Sequence, residues 1–375
     1  MKLKTLQLQH YRNYEEVQLQ FDDGVHIFIG ENAQGKTNLM EAIYVLAMSK
    51  SHRTTRDREL IQWNQDTAFI KGSVDKRVAP VSLELSFSKK GKMAKVNYLE
   101  QKKLSSYLGQ LNVILFAPED LALVKGSPAN RRRFMDMELG QMNPIYLYDL
   151  VQYNKLLKQR NTYLKQLAYG QEKDSLYLEV LTEQLATIAA SLLEHRIEFL
   201  EHLELLACSI HTIISQEKEL LSLRYQSSVP LQKNQSKKEI YLLMMEQFKK
   251  VEKRELEQMT TLVGPHRDDV LFFINDRNVQ IYGSQGQQRS TVLSLKLAEI
   301  ELMKEKIGEY PILLLDDVLS ELDDDRQTHL IKAIENKVQT FLTTTSLDGI
   351  QQQFITKPTI ISIHQGTVQK EEEDV

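Results

Sequence analysis

A glycine-rich octet, Gly30-Glu31-Asn32-Ala33-Gln34-Gly35-Lys36-Thr37, limits the architecture of this chain more than any other segment. It lies between an apolar run and a helix-like stretch that begins with Asn38. The two glycines let the backbone curl so that successive N–H groups face phosphate oxygens, and the helix directs its N-terminus at the same anion. Lys36 then reaches the β- and γ-phosphates, and the Thr37 hydroxyl is placed to bind Mg²⁺. The pattern predicts a P-loop and therefore a bound nucleotide.

A second nucleotide motif is predicted near the other end of the chain, at Pro311-Ile312-Leu313-Leu314-Leu315-Asp316-Asp317. A wholly apolar strand is typical of a parallel sheet that is covered on both faces. Acids at its carboxyl end lie where such sheets bind ligands. We expect a Walker B strand in which Asp316 binds Mg²⁺ and Asp317 orients or deprotonates the attacking water. Taken alone the pattern is weak, because a strand that runs into a turn explains it about as well.

Two neighbouring motifs place the chain in a broader group. Ser284-Gln285-Gly286-Gln287 matches the signature of the ATP-binding cassette superfamily, and Ser320-Glu321-Leu322-Asp323 matches its D-loop. Because the two nucleotide motifs stand at opposite ends of the chain, the order resembles the SMC-like branch. This resemblance implies an α/β ATPase head assembled from N- and C-terminal segments, residues 1–116 and 260–375. An inserted compact α-helical lobe is expected at residues 117–259.

Within that branch the chain resembles the RecF family of recombination mediators. The matching segments are residues 10–14, 30–38, 117–121, 126–136, 263–269 and 316–323. The resemblance implies an ATP-dependent dimer that clamps DNA in recombinational gap repair and helps RecR and RecO to load RecA. It also implies roles in DNA replication and the SOS response, with a weak, DNA-stimulated ATPase that acts as a switch.

The resemblance further implies a pair of ATP sites shared head to tail between two subunits. One subunit would contribute residues 30–38 and Arg12, although Arg12 could equally be a simple turn residue. The other subunit would contribute the signature and the D-loop through four residues: Ser284, Gly286, Gln287 and Asp323.

Some positions depart from the superfamily pattern or stay undecided. The usual glutamate after the Walker B aspartate is here the shorter Asp317, which suits slow turnover. The switch histidine is absent, and Thr344 or Thr345 could offer a hydroxyl to the γ-phosphate instead. His266 and Arg267 could be structural or could sense the nucleotide.

The formal net charge of −4 argues against wholesale coating of nucleic acid, so DNA contacts must come from local patches. Arg53 and Arg56, which follow the first predicted helix, are the first candidates. Further basic clusters occur around Gly91 (Lys89, Lys90, Lys92 and Lys95) and at Arg131-Arg132-Arg133. Each cluster could equally be a solvated loop.

Composition predicts a cytoplasmic protein. Cys208 is the single cysteine and is expected to be a small core residue. The first residues lack the apolar core of a signal peptide, and no apolar run of about 18 residues predicts a membrane span. Two other classes remain to be weighed. An SMC-like structural scaffold would dimerise without a DNA preference, and a metabolic P-loop kinase would have no use for a signature and a D-loop.

Hydrophobic patterning outlines the secondary structure. Strands are expected at residues 3–8, 17–21, 25–29, 68–74, 81–87 and 113–116. Helical periodicity then runs from residue 145 to about 216 and predicts two helices of about 25 residues with a turn at 169–174. A further helix is expected at 237–258.

Overall fold

The computed structural model describes residues 1–232, 235–319, 322–335, 337–347 and 358–370. The strands are β1 (Lys2–Tyr11), β2 (Tyr14–Gln20), β3 (Val25–Ile29), β4 (Thr67–Asp75), β5 (Val81–Ser88), β6 (Gly91–Val96), β7 (Leu99–Glu100), β8 (Val113–Phe116), β9 (Leu221–Gln226), β10 (Asp269–Ile274), β11 (Arg277–Asn278), β12 (Ile312–Asp316), β13 (Thr340–Thr344), β14 (Thr359–His364) and β15 (Thr367–Lys370). The helices are α1 (Lys36–Met48), α2 (Leu121–Lys125), α3 (Pro128–Met142), α4 (Pro144–Ala168), α5 (Ser175–Ile214), α6 (Lys237–Gln258), α7 (Val279–Tyr282), α8 (Gln285–Ile307) and α9 (Asp324–Ile334).

The chain folds as two units. Unit 1 comprises Met1–Asp120, Ile213–Ser215 and Val292–Val375, and unit 2 comprises Leu121–Thr212 and Gln216–Thr291. Their limits differ from the expected lobes, because residues 260–291 group with the helical unit. The reason lies in β10, which pairs along its length with β9. Asp269 at its start also accepts two hydrogen bonds from Arg131 of α3.

The described residues of unit 1 form two six-stranded sheets. The first is antiparallel, with strand order β2-β1-β4-β5-β6-β7. The second has the order β15-β14-β3-β13-β12-β8, and every pair in it is parallel except β14 with β15. The predicted strands of the N-terminal segment are confirmed. In the parallel sheet, the P-loop strand β3 and the acidic strand β12 are both neighbours of β13, so the two motifs meet at one edge.

Helix α1 is the central helix of unit 1. It contacts β12 and β13 of the second sheet and β4 and β5 of the first. Every residue from Leu39 to Met48 is buried, including Glu41. A helix that is apolar on all sides is stable only when it is covered on all sides, and the two sheets provide that cover. The P-loop therefore stands on a helix that is fixed along its whole length.

Unit 2 is mainly helical, with a three-stranded sheet of order β11-β10-β9. The two helices expected between residues 145 and 216 are present as α4 and α5, and the helix expected at 237–258 is α6. Helix α5 is longer than predicted, with 40 residues against 25 in α4. Core residues on these two helices pack together; they are Tyr163, Leu164, Leu178 and Leu181.

Buried arginines tie the elements of unit 2 together. Arg160 of α4 donates to Thr182 of α5 and to Glu255 of α6. Arg196 of α5 donates to Asp136 of α3 and to the carbonyl of Pro265. Breaking a buried pair by removing one partner costs about 3–5 kcal/mol, because a buried charge is left uncompensated. These arginines therefore fix how the helices and the loop before β10 pack within the unit.

Helix α5 departs from the expectation that the chain has no apolar run of about 18 residues. It contains an 18-residue window with a mean hydropathy of 1.3, which is long and apolar enough to cross a membrane by length and composition. Of that window 56% is buried within the structure. A core helix passes the same test, since Leu185, Ala189 and Leu192 on this helix are fully buried.

Candidate nucleotide-binding site

The P-loop backbone takes a conformation that requires its glycines. Gly35 has a φ of +122°, and a Cβ built on it would stand 2.7 Å from Nδ2 of Asn13. A Cβ on Gly30 would stand 2.3 Å from the carbonyl oxygen of Ile363. Such separations do not occur for real side chains, so both positions accept only glycine. The loop is a close-fitting curl between the end of β3 and the start of α1.

Neighbouring chain segments hold this loop from outside. Tyr14 donates its hydroxyl to the carbonyl of Gly35 at 2.9 Å. The carbonyl of Gln34 accepts from Nδ2 of Asn13 at 3.1 Å and from the backbone N–H of Gly366 at 3.0 Å. The loop carbonyls are thus bound on the protein side, which leaves the backbone N–H groups of the curl for an anion.

Lys36, the first residue of α1, points its ammonium back into the loop. The Nζ atom donates to the carbonyls of Gly30 and Glu31. Burial lowers the pKa of Lys36, while the carboxylates of Asp317 and Asp316 act to raise it. No side chain of the described residues caps α1, and its first turn carries no acid. The N-terminus of α1 and the Lys36 ammonium form the positive side of the site.

The acidic side of the site lies at the carboxyl end of β12. Asp316 is buried, and its Oδ1 accepts from Thr37 at 3.1 Å and from Thr343 at 2.8 Å. Burial raises the pKa of Asp316, although these two hydroxyl groups act to lower it. A hydroxyl beside a carboxylate is a ligand pair that suits Mg²⁺. Two residues 279 positions apart in the sequence, Thr37 and Asp316, therefore meet where the sequence analysis places the metal.

Asp317 follows directly in a strained conformation, with a φ of +53°. Its backbone N–H donates to the Thr343 hydroxyl at 2.9 Å, and its side chain is exposed. A non-glycine residue in the left-handed region persists only where its surroundings impose that conformation. The turn therefore separates the two acids. The carboxylate of Asp316 lies in the buried site, and that of Asp317 lies on the solvent side.

Arg12 enters the rim of the site through a bidentate ion pair. Its Nε and Nη2 atoms each donate to Glu41 at 2.8 Å, and Glu41 is completely buried on α1. Ser51 also donates to this carboxylate. Burial acts to raise the pKa of Glu41, but the hydrogen bonds from Arg12 and Ser51 outweigh it and hold the pKa below its usual value. Arg12 is thus more than a turn residue.

The two predicted DNA contacts have different surroundings. Arg53 donates to Oδ1 of Asn38 at 2.8 Å and lies 3.9 Å from the Glu41 carboxylate. Arg56 is 82% exposed and lies 4.0 Å from the Glu59 carboxylate. Arg53 therefore belongs in part to the rim of the P-loop, whereas Arg56 faces solvent.

Several of the other basic candidates are engaged in structural pairs. Arg131 is buried and forms a bidentate pair with Asp269, at 2.6 and 2.9 Å. Lys92 pairs with Asp57, Lys89 with Asp66 and Lys95 with Glu84. The expectation of a DNA contact at Arg131 is wrong, because its guanidinium is buried and engaged by Asp269 and by the carbonyl of Gly126.

The signature lies in unit 2, at the start of α8. Ser284 and Gln287 form a reciprocal pair: the backbone N–H of Ser284 donates to the Gln287 side chain at 2.9 Å, and the backbone N–H of Gln287 donates to the Ser284 hydroxyl at 3.2 Å. This is the capping-box arrangement of a helix N-terminus. Ser284 is exposed and Gly286 is half-buried, so the start of the helix faces solvent.

Asp323 caps helix α9. Its carboxylate accepts the backbone N–H of Arg326 at 3.0 Å and pairs with the Arg326 side chain. Ser320 and Glu321, the other polar residues of the predicted D-loop, lie outside the described residues.

His266 and Arg267 have structural partners in unit 2. The ring of His266 hydrogen-bonds to the Tyr153 hydroxyl at 2.6 Å and to the Thr261 carbonyl, and burial lowers its pKa to about 4. Arg267 also donates to the Thr261 carbonyl. Both side chains thus hydrogen-bond to the same backbone carbonyl and hold the loop in place. This favours a structural role for His266 and Arg267 over nucleotide sensing.

Two site residues were not identified from the sequence. Glu41 stands in an otherwise apolar helical run, Leu39-Met40-Glu41-Ala42-Ile43, and a lone acid there is a signal of a paired cation. At the end of β13, Thr343 contacts the aspartates, whereas Thr344 donates its hydroxyl to the carbonyl of Ser346. Only the direction of each side chain distinguishes these adjacent threonines.

Comparison with known proteins matches the chain to one family, both by a family model and by individual relatives. A family model described as "RecF/RecN/SMC N terminal domain" matches residues 2–369. The chain is 57% identical over 373 residues to "DNA replication and repair protein RecF" of Latilactobacillus sakei subsp. sakei (strain 23K), covering 99% of this chain and 100% of that protein. It is 56% identical over 371 residues to the protein of that name from Enterococcus faecalis (strain ATCC 700802 / V583), covering 99% of each.

Solved structures are also similar. The one described as "Structure of the recombination mediator protein RecF-ATP in RecFOR pathway" superposes with a TM-score of 0.92 at 34% identity, covering 99% of this chain and 97% of that chain. The corresponding "RecF-ATPrS" structure gives 0.91 at 33% identity, covering 99% and 98%. An SMC head bound to the C-winged helix domain of ScpA gives 0.56 at 14% identity, covering 99% and 97%, a likeness of fold alone.

Proposed function

Since this chain belongs to the RecF family, within the wider RecF/RecN/SMC N-terminal domain group, we propose that it is an ATP-dependent DNA-binding protein of recombinational gap repair. The convergence of Lys36, Thr37 and Asp316 at the start of α1 and the end of β12 carries the proposal. An ammonium, a hydroxyl and a carboxylate around a curl of backbone N–H groups are what a nucleoside triphosphate with Mg²⁺ requires.

The residues of this site fit both a nucleoside triphosphate and Mg²⁺. The curl can form because Gly30 and Gly35 carry no Cβ, which would overlap Ile363 and Asn13, and such a curl presents backbone N–H groups to phosphate oxygens. Thr37 and Asp316 would hold Mg²⁺, which when bound neutralises charge on the β- and γ-phosphates. Lys36 would exchange its hydrogen bonds to the loop carbonyls for phosphate oxygens. Residues 30–38 and Arg12 would line one half of the site, with Arg12 held to helix α1 through its ion pair with Glu41.

The other half-site would come from a second copy of the chain. Ser284, Gly286 and Gln287 stand at the solvent-facing start of α8, where backbone N–H groups and a hydroxyl can cap a γ-phosphate. Asp323, the last residue of the predicted D-loop, would contribute to this interface as the resemblance to the family implies. ATP would then join two subunits into a dimer, and hydrolysis would release them, so that slow turnover suffices for a switch.

Asp317 is the proposed catalytic residue. Its carboxylate lies on the solvent side of the turn after β12, one residue beyond the metal ligand, where it can orient or deprotonate a water molecule. Its short side chain and strained backbone suit a weak ATPase. Arg53 and Arg56 would contact DNA phosphates. By family membership the partners would be RecR, with RecO, and RecA.

Sedimentation tests the ATP-dependent dimer. Ser284→Arg places a bulky cation at the start of α8 and should abolish the dimer while ATP binding by the P-loop persists. Ser284→Ala is the control, because it also loses the capping hydroxyl but adds no bulk. An unchanged ATP-induced dimer in Ser284→Arg would refute the proposed arrangement. If the parent dimerises with ATP but binds neither gapped nor duplex DNA, a structural scaffold becomes the better description.

A further inference from the structure

The only tryptophan of the chain, Trp63, is 91% exposed. Water surrounds nearly the whole indole, so folding forgoes the hydrophobic free energy that its burial would supply. The stability of the fold therefore does not explain why a tryptophan stands at this position, whereas contact with a binding partner would.

The indole projects from a tight turn that is fixed to the antiparallel sheet. The backbone N–H of Gln65 donates to the carbonyl of Gln62 at 3.1 Å, and Asn64 between them has a φ of +65°. Gln62 in turn donates its N–H to the carbonyl of His10 in β1 at 2.8 Å. Trp63 is therefore presented on an ordered turn, which lowers the entropy cost of binding through it.

Exposed arginines precede this turn. Arg53, Arg56 and Arg58 are all exposed; Arg58 lies within the 3₁₀ turn Asp57–Leu60, which stands between the other two arginines and Trp63 in the chain. The backbone of this turn is ordered by bonds from Glu59 to the Arg56 carbonyl at 3.0 Å and from Ile61 to the Arg58 carbonyl at 3.2 Å. Of the two acids in the turn, Asp57 pairs with Lys92. A flat, exposed aromatic ring thus follows an arginine-bearing segment closely in the chain.

We propose that Trp63 is a stacking platform for an unpaired base of single-stranded DNA, with Arg56 and Arg58 contacting the adjoining phosphates. Aromatic rings beside cationic side chains are how proteins bind single strands without reading their sequence, because every base has a π-face. This inference rests on the DNA binding proposed above. It also gives a reason why the protein would favour gapped DNA, because a blunt duplex offers no unpaired base within its length.

Because Trp63 is the only tryptophan, its fluorescence reports on this site alone. With excitation at the red edge of the tryptophan band, we expect quenching by gapped DNA in the presence of a non-hydrolysed ATP analogue. We expect no quenching by a blunt duplex or by the analogue without DNA. Quenching by the analogue alone would identify the nucleotide base as the occupant and overturn the proposal.

Binding of a fluorescently labelled gapped DNA, followed by anisotropy, separates this inference from the function on which it rests. If the parent binds the DNA and Trp63 fluorescence does not change, base stacking is refuted and the proposed DNA binding stands. If the parent does not bind DNA at all, both proposals fail.

Variants provide the matching affinity test. Trp63→Ala should weaken binding of gapped DNA about tenfold, and Trp63→Phe should restore most of the loss because a ring remains. Val78→Ala is the matched control, since Val78 is an apolar side chain of unit 1 that is 90% exposed. An equal loss in Val78→Ala, or loss of the ATP-dependent dimer in Trp63→Ala, would contradict the assignment.

Discussion

At the scale of single residues, the ion pair between Arg12 and Glu41 decides how the P-loop helix meets the first hairpin. The guanidinium is 19% exposed and the carboxylate is completely buried. A buried carboxylate is tolerated only because the bidentate arginine and Ser51 satisfy it. The pair therefore couples the turn between β1 and β2 to α1, and removing either partner is expected to affect the whole P-loop region.

Arg12→Ala should destabilise the protein by about 3–5 kcal/mol near neutral pH, because Glu41 is left buried with only the Ser51 hydroxyl and the more distant Arg53, 3.9 Å away, to compensate its charge. In the parent, the lowered pKa of Glu41 contributes stability above the pKa of an unfolded glutamate, and this is lost as pH falls through the folded value. Without Arg12, burial dominates and the pKa rises. Stability should then be greater in mild acid and should fall as pH rises.

Urea unfolding at pH values of about 5 and 7 measures this difference. The parent should not gain stability on acidification, whereas Arg12→Ala should. The double variant Arg12→Ala/Glu41→Gln is the control, because it removes the titrating group and should lose the pH dependence. Equal pH profiles for the parent and Arg12→Ala would show that Glu41 reaches water or another partner.

At the scale of elements, helix α1 and the loop before it together form the proposed anion site. The helix is buried on all sides, its N-terminus carries no acidic residue in the first turn, and Gly35 is its N-cap. The loop fits against Asn13 and Tyr14 so closely that a methyl group has no room. Anion binding therefore depends on the exact path of the backbone as much as on Lys36.

Gly35→Ala should displace the loop and weaken ATP binding more than tenfold, or by roughly 1.5–3 kcal/mol, the value of a hydrogen bond to a charged group. Gly24→Ala is the matched control. Its φ of +103° is similarly unfavourable, but nothing lies within 4 Å of the added Cβ. Calorimetric titration with ATP should give parental affinity for Gly24→Ala. Parental affinity for Gly35→Ala as well would show that crowding at position 35 does not control ATP binding.

At the scale of the whole molecule, the net charge restricts the proposed DNA binding. The formal net charge is −4, and several basic side chains in the described part of the chain are neutralised by acids. Affinity for DNA must then come from a small patch, and Arg56 is an exposed arginine three residues after Arg53, which lies at the P-loop rim. A small patch implies few phosphate contacts and a shallow dependence on salt.

Arg56→Ala should reduce the slope of log K against log salt by about 0.9 for duplex DNA, the value for one phosphate contact. Arg56 is a cleaner test than Arg53, which hydrogen-bonds to Asn38 beside the P-loop. Arg224→Ala is the control, since Arg224 is 55% exposed and pairs with Asp276 in unit 2. A salt titration of DNA binding in ATP gives the slopes. An unchanged slope for Arg56→Ala would place the phosphate contact elsewhere.

The sequence by itself determined the family, the fold class and the nucleotide motifs. These are local or repetitive signals, because a P-loop needs its glycines in consecutive order and strands and helices have fixed periods. Helices α4, α5 and α6 were predicted for the same reason. Tertiary structure decided which distant side chains meet. Thr343 and not Thr344 reaches Asp316, Arg12 pairs with Glu41, and Arg131 is buried against Asp269. Long-range contacts depend on the order of the strands in a sheet and on the direction of each side chain. Neither property can be predicted from the local sequence.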